Sequence, residues 1–331
     1  MKKINKDSVV LIAGGTGSIG TNLTKKFLDM GVRQVRVLAR DETRQQQLAD
    51  KLGNPENFLS IIGDIRDKSS LDEALNNVDL VVNAAAMKHV RYCDAFPSEA
   101  LKTNVTGTDN LLSLCIQKRI KNFILISSDK AVDPTTTYGA TKFLAERLVI
   151  SSALRNPTYN FNIVRLGNVI GSRNSVLHRI AHQIDTGRPI TVMSGRVSRY
   201  VMTADNVSDL VIKAAQFGTS GEIFIQDMPV VEIADLVRVF VDLYVKKLKL
   251  NPANIRIIDY PVGRGEKQHE ALVSTVEKGH ARHENSLIII SPTGILADAA
   301  PIRTYTSMNE PKLTTKEIRT LITPLLATTA S

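Results

Sequence analysis

The chain has 331 residues, of which 43% are hydrophobic and 23% are charged, as in ordinary soluble globular proteins. Lysine and arginine total 42 against 33 acidic residues. These cations are dispersed and tryptophan is absent, which disfavours a nucleic-acid surface and favours a polyanionic small ligand. The two cysteines form no disulfide framework or metal spacing, and no apolar run approaches the roughly 20 residues of a membrane span. We therefore predict a cytoplasmic protein that binds neither nucleic acid nor membrane.

The first half of the chain alternates short apolar runs with helical stretches. Continuous apolar strands separated by helices are typical of a parallel sheet that helices cover on both faces. We therefore predict an α/β fold with a doubly wound parallel sheet. In chain order, the predicted strands are "SVVLIAGG", "QVRVLAR", "FLSIIGD", "VDLVVNAAA", "KNFILISS" and "YNFNIVRLGNV". The clearest helical patterns are "GTNLTKKFLDMG", "SEALKTNVTGTDNLLSLCIQKR" and "GATKFLAERLVISSAL".

After Gly171 the alternation weakens. The patterns there predict a strand that returns to the sheet, "GEIFIQD", and two short strands, "IRIIDYPV" and "SLIIIS". The predicted helices are "SVLHRIAHQIDTG", "TADNVSDLVIKAAQFG", "VVEIADLVRVFVDLYVKKL" and "TTKEIRTLITPLL". In the last of these, Thr314 and Glu317 have the spacing of a capping box.

A glycine-rich loop, "AGGTGSIG", joins the first strand to the first helix. Its glycines allow the backbone to approach a pyrophosphate at the helix N-terminus, as in the fingerprint of dinucleotide-binding Rossmann domains. A merely tight turn is the alternative. The G-x-x-G-x-x-G spacing resembles the loop of extended short-chain dehydrogenase/reductases, with Ala13 in place of their usual threonine. The predicted cofactor contacts in this loop are Gly14, Thr16, Gly17, Ser18, Ile19 and Gly20.

The end of the second strand, "LARDETR", indicates which dinucleotide binds. An NAD-selective site carries an acidic residue there for the ribose hydroxyls, but Arg40 occupies that position and Arg44 follows a turn later. A guanidinium suits a 2′-phosphate, which predicts NADP as the cofactor. Asp41 is adjacent and could reach the ribose, so NAD is the alternative.

The domain boundaries follow from these patterns, since the chain has no internal repeat and no low-complexity linker. We assign residues 1–171 to an NADP-binding Rossmann domain, with a returning segment at about 203–228. A smaller, interleaved C-terminal α/β lobe for the substrate takes residues 172–202 and 229–331.

The segment "SSDKAVDPTTTYGATK", directly behind the fifth strand, concentrates titratable groups. Tyr138 and Lys142 lie four residues apart, on one face of a predicted helix. In the short-chain dehydrogenase/reductase superfamily such a Y-x-x-x-K pair lies beside the cofactor. By this resemblance Lys142 holds the nicotinamide ribose and lowers the tyrosine pKa. The Tyr138 phenolate can then take a hydroxyl proton while hydride moves, with Ser128 completing the catalytic set.

Asp129 and Lys130 form a second pair that hydride transfer does not require. Oxidising a sugar carbon to a ketone acidifies the neighbouring C–H. A base can then remove that proton while an acid protonates the hydroxyl one carbon further on. With Lys130 as base and Asp129 as acid, water is eliminated. An exposed salt-bridged pair is the alternative.

Seven segments fall in the order seen in inverting UDP-N-acetylglucosamine 4,6-dehydratases, in the polysaccharide-biosynthesis branch of the extended short-chain dehydrogenases. The resemblance covers about residues 8–275. The Asp129–Lys130 pair is its most specific element, because retaining sugar-nucleotide dehydratases have Asp-Glu there. At Gly263 the chain departs from the family, which more often has arginine. The segments are "GGTGSIG", "RDE", "GDIRD", "AAAMKHV", "SSDKAVDPTTTYGATK", "VRLGNVIGSRNSV" and "GEK" followed by "HE".

The resemblance implies a lyase that binds NADP tightly and regenerates it in each cycle. C4 of a UDP-amino sugar is oxidised, Lys130 removes the C5 proton, and Asp129 assists loss of the C6 hydroxyl as water. Hydride returns to C6, and C5 is reprotonated from the other face, with Tyr138 as one candidate donor. The product is a UDP-4-keto-6-deoxy-hexose with inverted C5.

The same resemblance extends the predicted binding sites. On the cofactor side it adds Asp64, Ile65, Ala84, Ala85 and Lys88. For the nucleotide sugar it implies Lys88, Asn168, Arg173, Arg199, Arg264 and Glu266. A turn role for Asp64 and a solvated surface role for each arginine are the alternatives.

Other functions stay open at this point. A UDP-sugar 4-epimerase would use Tyr138 and Lys142 and leave the acid-base pair idle. A non-enzymatic dinucleotide sensor would not need both pairs together, and UDP-glucose is an alternative substrate. His178 and His182 have the spacing of a metal pair but no third ligand, so we predict no metal site. Exposed helices such as "SEALKTNVTGTDNLLSLC" suit the dimer contacts of the superfamily, which predicts a homo-oligomer.

Overall fold

The structure, a computed structural model, describes residues 4–173, 175–263, 265–293 and 305–327. Within these ranges the strands are β1 (Val9–Ala13), β2 (Gln34–Ala39), β3 (Phe58–Ile62), β4 (Leu80–Asn83), β5 (Asn122–Ser128), β6 (Asn160–Leu166), β7 (Asn168–Val169), β8 (Ile190–Met193), β9 (Ser198–Met202), β10 (Ile223–Gln226), β11 (Val230–Glu232), β12 (Ile257–Tyr260), β13 (Ala281–Glu284) and β14 (Leu287–Ile290).

The helices of the same ranges include several short ones that the sequence patterns did not predict. The α-helices are α1 (Ser18–Asp29), α2 (Glu42–Leu52), α3 (Lys68–Asp72), α4 (Val90–Ala95), α5 (Pro97–Leu101), α6 (Gly107–Gln117), α7 (Thr137–Arg155), α8 (Val176–Asp185), α9 (Ala204–Phe217), α10 (Ile233–Leu248) and α11 (Thr315–Ile322). Short 3-10 helices lie at Asp129–Ala131, Pro252–Asn254, Glu277–His280 and Thr323–Ala327, and a π-helix lies at Lys102–Thr106.

The main sheet has nine strands in the order β13-β14-β10-β6-β5-β4-β1-β2-β3. The strands from β10 to β3 in this order pair in parallel, and β14 and β13 add an antiparallel edge. The order 3-2-1-4-5-6 is that of a doubly wound Rossmann sheet, in which the direction of winding reverses beside β1. The predicted fold class is confirmed.

The central strands are buried along their whole length, because helices cover both faces of the sheet. Every residue of β1, β4, β5 and β6 is buried. This burial explains why β1 and β4 are almost continuously apolar rather than alternating. The polar residues of β6 are satisfied internally: Asn162 donates to Asn160 Oδ1 at 2.7 Å and accepts from the Glu222 N–H at 3.1 Å.

The long helix predicted from "SEALKTNVTGTDNLLSLCIQKR" is interrupted. The π-helix Lys102–Thr106 separates α5 from α6, so the prediction of one continuous α-helix is wrong at this point. The wider turn holds Asn104 in the interior, where its amide bonds to Met87 and Thr141. Single π-turns of this kind occur frequently at functional sites.

The chain divides into two compact units, each assembled from several segments. The first comprises residues 1–166, 205–227 and 274–303, and it contains the nine-stranded sheet. The sequence analysis assigned the last of these segments to the substrate lobe. The segment belongs to the sheet instead, because β14 pairs with β10 at its edge.

The second unit comprises residues 167–204, 228–273 and 304–331. In it, β9 pairs antiparallel with β11 and parallel with β7, and β8 pairs parallel with β12. Side chains of α8, α10 and α11 form much of its apolar core. The predicted capping box starts α11, since Thr314 and Glu317 each accept a hydrogen bond from the other's backbone N–H.

Candidate active site

The carboxyl ends of β1, β4 and β5 lie side by side, because these strands are parallel neighbours. The glycine loop follows β1, the segment that starts at Ala84 follows β4, and Asp129 follows β5. In doubly wound sheets ligands bind outside these strand ends, where the winding reverses. The topology therefore brings the predicted cofactor and catalytic segments of the first unit to one edge.

The glycine loop is packed against backbone. Gly14 has a φ of +76°, and a Cβ on it would lie 2.7 Å from the backbone of Ala85. A Cβ on Gly20 would lie 2.5 Å from the carbonyl oxygen of Gly14. Close chain packing thus explains these two glycines, whereas the sequence analysis attributed the whole triplet to the approach of a pyrophosphate.

The start of α1 has the properties of an anion site. Gly17 is the N-cap residue and offers no side chain for capping, and the first turn contains no acidic residue. Backbone N–H groups at such a helix end favour a negatively charged ligand. The residues around this helix end are half-buried: Thr16, Gly17, Ser18 and Ile19.

The two candidate residues at the end of β2 have different environments. Asp41 caps α2, accepting a hydrogen bond from the Arg44 N–H at 3.0 Å. Arg40 is 61% exposed, and its Nη1 lies 3.7 Å from Asp64 Oδ2. Helix capping occupies Asp41, so Arg40 is the better placed of the two to meet a ligand.

Asp64 has a turn role, since its Oδ1 accepts from the Arg66 backbone N–H at 3.0 Å, and it also binds a guanidinium. It accepts hydrogen bonds from Arg66 Nε at 2.8 Å and Nη2 at 2.6 Å. Burial opposes its ionisation, but the hydrogen bonds and charge of Arg66, with the charge of Arg40, hold the pKa of the carboxyl below its ordinary value. Its neighbour Ile65 is buried, and its carbonyl accepts from Asn110 Nδ2 at 3.0 Å.

The segment after β4 is held by a residue that sequence reasoning missed. Asn104 accepts from the Met87 N–H at 2.8 Å and donates to the Met87 carbonyl at 2.9 Å. It also donates to Thr141 Oγ1 on α7 at 2.9 Å. Lys88, which follows Met87, is exposed. At the start of the same segment, the Ala84 N–H donates to the Ala13 carbonyl at 2.9 Å. The local pattern gave no signal for Asn104, because its neighbours Lys102, Thr103 and Thr106 are polar as well.

The acid-base pair lies in the 3-10 turn that follows β5. Ser128 Oγ donates to Asp129 Oδ1 at 2.7 Å, and Lys130 Nζ donates to the same oxygen at 3.1 Å. The side chain of Asp129 is 0% exposed and that of Lys130 is 25% exposed. Asp129 Oδ2 has no hydrogen-bond partner within the described residues. The alternative of an exposed surface salt bridge therefore does not describe this pair.

Tyr138 and Lys142 follow on α7 and are both in contact with β5 or its end. Lys142 Nζ donates to the Ile126 carbonyl at 2.6 Å, and the nearby Ser128 hydroxyl acts to lower the pKa of Tyr138. Burial raises the pKa of Tyr138 to about 12, against the lowering effect of the Lys130 charge. Burial lowers the pKa of Lys142 to about 8, while the charge of Glu146 raises it. The predicted lowering of the tyrosine pKa by Lys142 stays a prediction.

In the second unit, Arg199 is buried and bonded to main chain. Its Nη1 donates to the carbonyls of Ser198 at 2.8 Å and Gln268 at 3.0 Å, and its Nη2 donates to that of Lys267 at 2.9 Å. Arg199 therefore holds the segment next to Glu266, and its predicted contact with a diphosphate stays a prediction. Glu266 is exposed and accepts from the Gly263 N–H at 3.3 Å.

The other predicted substrate residues are less constrained by contacts. Asn168 is half-buried in β7, and Arg173 is exposed. Arg264 lies outside the described residues.

His178 contacts Ser175 Oγ through Nδ1 at 3.1 Å, and His182 is exposed. In the ranges that the structure describes, no group of three His, Cys, Asp or Glu side chains could hold a metal ion.

Comparison with known proteins places this arrangement in a family. The polysaccharide biosynthesis protein family matches residues 10–292. The chain belongs to this family. A solved structure, Pen from Bacillus thuringiensis, superposes with a TM-score of 0.93 and 36% sequence identity, covering 98% of this chain and 99% of Pen.

Two curated relatives match most of the chain. A UDP-glucose 4-epimerase of Rickettsia conorii is 33% identical over 336 residues, covering 96% of both chains. An uncharacterized membrane protein of Methanocaldococcus jannaschii is 40% identical over 292 residues, or 88% of this chain and 87% of the relative. In the part of this chain that the structure describes, no helix is long and apolar enough to cross a membrane.

Proposed function

We propose that the protein is an inverting nucleotide-sugar 4,6-dehydratase that acts on UDP-N-acetylglucosamine. The observation that carries this proposal is the buried Asp129 at the end of β5. One of its oxygens is bound by Ser128 and Lys130, and the other has no hydrogen-bond partner among the described side and main chains. Buried polar atoms are normally satisfied, so an unsatisfied carboxyl oxygen beside an amine and a phenol is suited to a substrate hydroxyl.

The glycine loop fits a nicotinamide dinucleotide, because Gly17 leaves the N-terminus of α1 open to a pyrophosphate. Arg40 would meet a 2′-phosphate, which favours NADP over NAD. When bound, such a cofactor supplies a hydride acceptor and donor. The residues that would hold it are Gly14, Thr16, Gly17, Ser18, Ile19, Gly20, Arg40, Asp64, Ile65, Ala84, Ala85, Lys88 and Lys142.

Oxidation at C4 requires a group that takes the hydroxyl proton, and we assign this role to Tyr138. The Ser128 hydroxyl near this phenol acts to lower its pKa. Because burial raises the pKa of Tyr138 to about 12, the phenol is protonated at neutral pH before substrate binds. The phenol must therefore release this proton to solvent before it can accept the C4 hydroxyl proton as a phenolate, and the positive charge of Lys130, which lowers that pKa, favours the phenolate.

The elimination uses the hydrogen bond between Lys130 and Asp129. Transfer of one proton from Lys130 Nζ to Asp129 converts the ion pair to an amine and a carboxylic acid without changing the net charge. The amine then removes the C5 proton while the acid protonates the departing C6 hydroxyl. Water leaves, a C5–C6 double bond forms, and the residues return to the charged pair from which they started.

The decisive experiment follows the purified protein with UDP-N-acetylglucosamine and NADP⁺ in D₂O by proton NMR. We expect a new C6 methyl signal, deuterium at C5, and inverted C5 configuration in the product. Parallel reactions with NAD⁺ and with UDP-glucose determine the preferred cofactor and whether the N-acetyl group is required. A reaction that yields neither a methyl signal nor any change in the sugar would refute the proposal.

Lys130→Ala tests the assigned base. We expect the methyl signal to be lost, because no other amine is bonded to Asp129 in the described residues. The matched control is Lys25→Ala, which removes a lysine from an exposed ion pair with Asp29 on α1. The control should retain wild-type activity.

A UDP-sugar 4-epimerase is the second candidate, favoured by the 33% identity to the Rickettsia conorii relative over 336 residues. That reaction would use Tyr138 and Lys142 and have no step for the acid-base pair. Its outcome in the same NMR experiment is a UDP-N-acetylgalactosamine or UDP-galactose signal without a methyl group. Lys130→Ala would then retain most of the activity.

A further inference from the structure

A second buried charged cluster lies next to the catalytic residues of the first unit. Arg165 on β6 donates to Glu146 through Nε at 3.1 Å and Nη2 at 2.8 Å. It also donates to Glu277 through Nη1 at 3.0 Å and Nη2 at 2.8 Å. One guanidinium thus binds two carboxylates in fork geometry, which is the strongest arrangement for such pairs.

This cluster contacts both elements that carry the catalytic residues. Glu146 lies one turn after Lys142 on α7, and its Oε1 accepts from Ser127 Oγ on β5 at 2.6 Å. Ser127 immediately precedes Ser128, which donates a hydrogen bond to Asp129. The cluster of Arg165, Glu146 and Glu277 therefore joins the end of β5 to the face of α7 on which Lys142 lies.

The charges of the cluster balance only when Lys142 is included. Glu146, Arg165 and Glu277 together carry one net negative charge, and Lys142 is the nearby buried cation whose pKa responds to Glu146. Burial opposes the charge of Glu277, but Arg165 and Ser274 lower the pKa of its carboxyl to about 2. Both carboxylates raise the pKa of Arg165 against the effect of burial. Buried charges require such pairing, because an uncompensated one is strongly destabilising.

We propose that Glu146, Arg165 and Glu277 are positioning residues that hold α7 against β5 and supply the negative charge that keeps Lys142 cationic. The inference rests on the proposed function only in giving Lys142 a role in holding the cofactor. Arg165 holds the Glu146 carboxylate through two hydrogen bonds. Glu277, in the 3-10 helix before β13, accepts two further bonds from the same guanidinium.

Other groups near α7 do not replace this charge. Several titratable residues lie on the elements packed against α7 or on α7 itself, but Glu146 is the one whose charge acts on Lys142. The others are Arg91, Tyr92, Cys93 and Asp94 on α4, Glu99 on α5, Lys102 in the π-helix, Asp109 and Cys115 on α6, Asp129 and Lys130 after β5, Tyr138, Arg147 and Arg155 on α7 and Arg165 on β6.

The test measures the charge state of Lys142 directly, without turnover. Protein carrying ¹³C at the lysine ε-carbon is titrated by NMR, and Lys142→Met identifies the resonance. We expect wild-type Lys142 to titrate near pH 8. In Glu146→Gln the midpoint should fall by about one pH unit. The control Glu56→Gln, at an exposed glutamate, should leave it unchanged. An unchanged midpoint in a folded Glu146→Gln protein overturns the proposal.

Glu277→Gln keeps the test decisive if Glu146→Gln does not fold, because Glu277 is 18% exposed and lies at the edge of the cluster. Its removal takes away one of the two carboxylates that bind Arg165, so the Lys142 midpoint should fall by a smaller amount. Lys142 would then lose its positive charge at a lower pH. The dissociation constant of NADP⁺ should therefore also begin to rise at a lower pH than in wild type. If neither quantity changes, the network has no effect on Lys142.

The outcomes separate this inference from the proposed function. A shifted Lys142 midpoint in a protein that forms no C6 methyl product supports the role proposed for Glu146, Arg165 and Glu277. The same result refutes the proposed dehydratase function. A protein that forms the product, with an unshifted midpoint in both glutamate variants, supports the dehydratase and refutes the network.

Discussion

Two buried ionic clusters flank the end of β5, and they differ in how completely their carboxylates are bonded. In the Arg165 cluster each oxygen of Glu146 and Glu277 accepts a hydrogen bond. In the Asp129–Lys130 pair, Oδ1 accepts two bonds and Oδ2 accepts none from the described part of the chain. A saturated cluster can stabilise the fold but cannot exchange a proton readily with a ligand. A cluster with an unbonded carboxylate oxygen is costly to bury, but that oxygen is available to exchange a proton with a ligand.

Substitution of Asp129 is the strongest test of this difference between the two clusters. Asp129→Asn removes the acid and keeps the shape, so the rate of C6 methyl formation should fall by about 10²- to 10⁴-fold. Stability to urea should be unchanged or higher, because a buried, half-bonded carboxylate is replaced by a neutral amide. Steady-state NMR rates and urea titrations measure both effects. Asp29→Asn, in an exposed ion pair, is the control. A large loss of stability in Asp129→Asn would show that this pair is also structural.

The opposite result is expected at Arg165. Arg165→Met leaves Glu146 and Glu277 buried without their cation, which should cost about 3–5 kcal/mol of the free energy of unfolding. Urea titration followed by circular dichroism measures the loss. The control is Arg238→Met, which removes an exposed pair with Asp235 and should cost at most about 1 kcal/mol. Equal losses in the two variants would mean that the buried cluster contributes little.

The pH dependence of stability distinguishes the clusters further. The folded-state pKa of Glu277 is about 2, below its ordinary value of 4.5. Between these values the unfolded chain binds more protons at this residue than the folded chain, so stability should fall as the pH falls from about 4.5 to about 2. Glu277→Gln should lack this part of the loss. Melting temperatures across the window, with Glu56→Gln for comparison, measure the difference, and parallel curves for Glu277→Gln and wild type would contradict it.

The smallest expected effect concerns the exposed Arg40, outside both clusters. If Arg40 meets a 2′-phosphate, Arg40→Ala should weaken NADP⁺ binding about fivefold, or about 1 kcal/mol, as is usual for exposed charge pairs. Binding of NAD⁺ should change little. Isothermal titration with both dinucleotides measures this selectivity, and Arg33→Ala, at another exposed arginine, is the control. An equal loss for both dinucleotides would contradict the preference for NADP.

Much of the site could be predicted because its determinants are local. The four-residue spacing of Tyr138 and Lys142 depends on a single helix face, which periodicity determines, whereas Gly14 in the loop after β1 is also required by the distant backbone of Ala85. The capping box of Thr314 and Glu317 was predictable for the same reason, since both residues lie within one helical turn.

Residues whose roles depend on distant partners were missed or assigned differently. Asn104 reads as part of a regular helix until the π-turn brings it to Met87 and Thr141. Arg199 binds carbonyls 68 and 69 residues away, which its local sequence did not indicate, and its contact with a ligand stays a prediction. The local sequence around each residue does not identify the distant partner.

The amino-acid sequence by itself determined the alternating α/β order, the parallel sheet and the composition of the catalytic turn, because hydrophobic periodicity and local spacing encode these features. The tertiary structure decided that "SLIIIS" joins the main sheet and that Arg165 meets Glu277, 112 residues further along the chain. It also decided which oxygen of Asp129 is bonded by its neighbours. The physical reason is that strand pairing and the saturation of buried charges depend on which distant groups the fold brings within hydrogen-bonding distance.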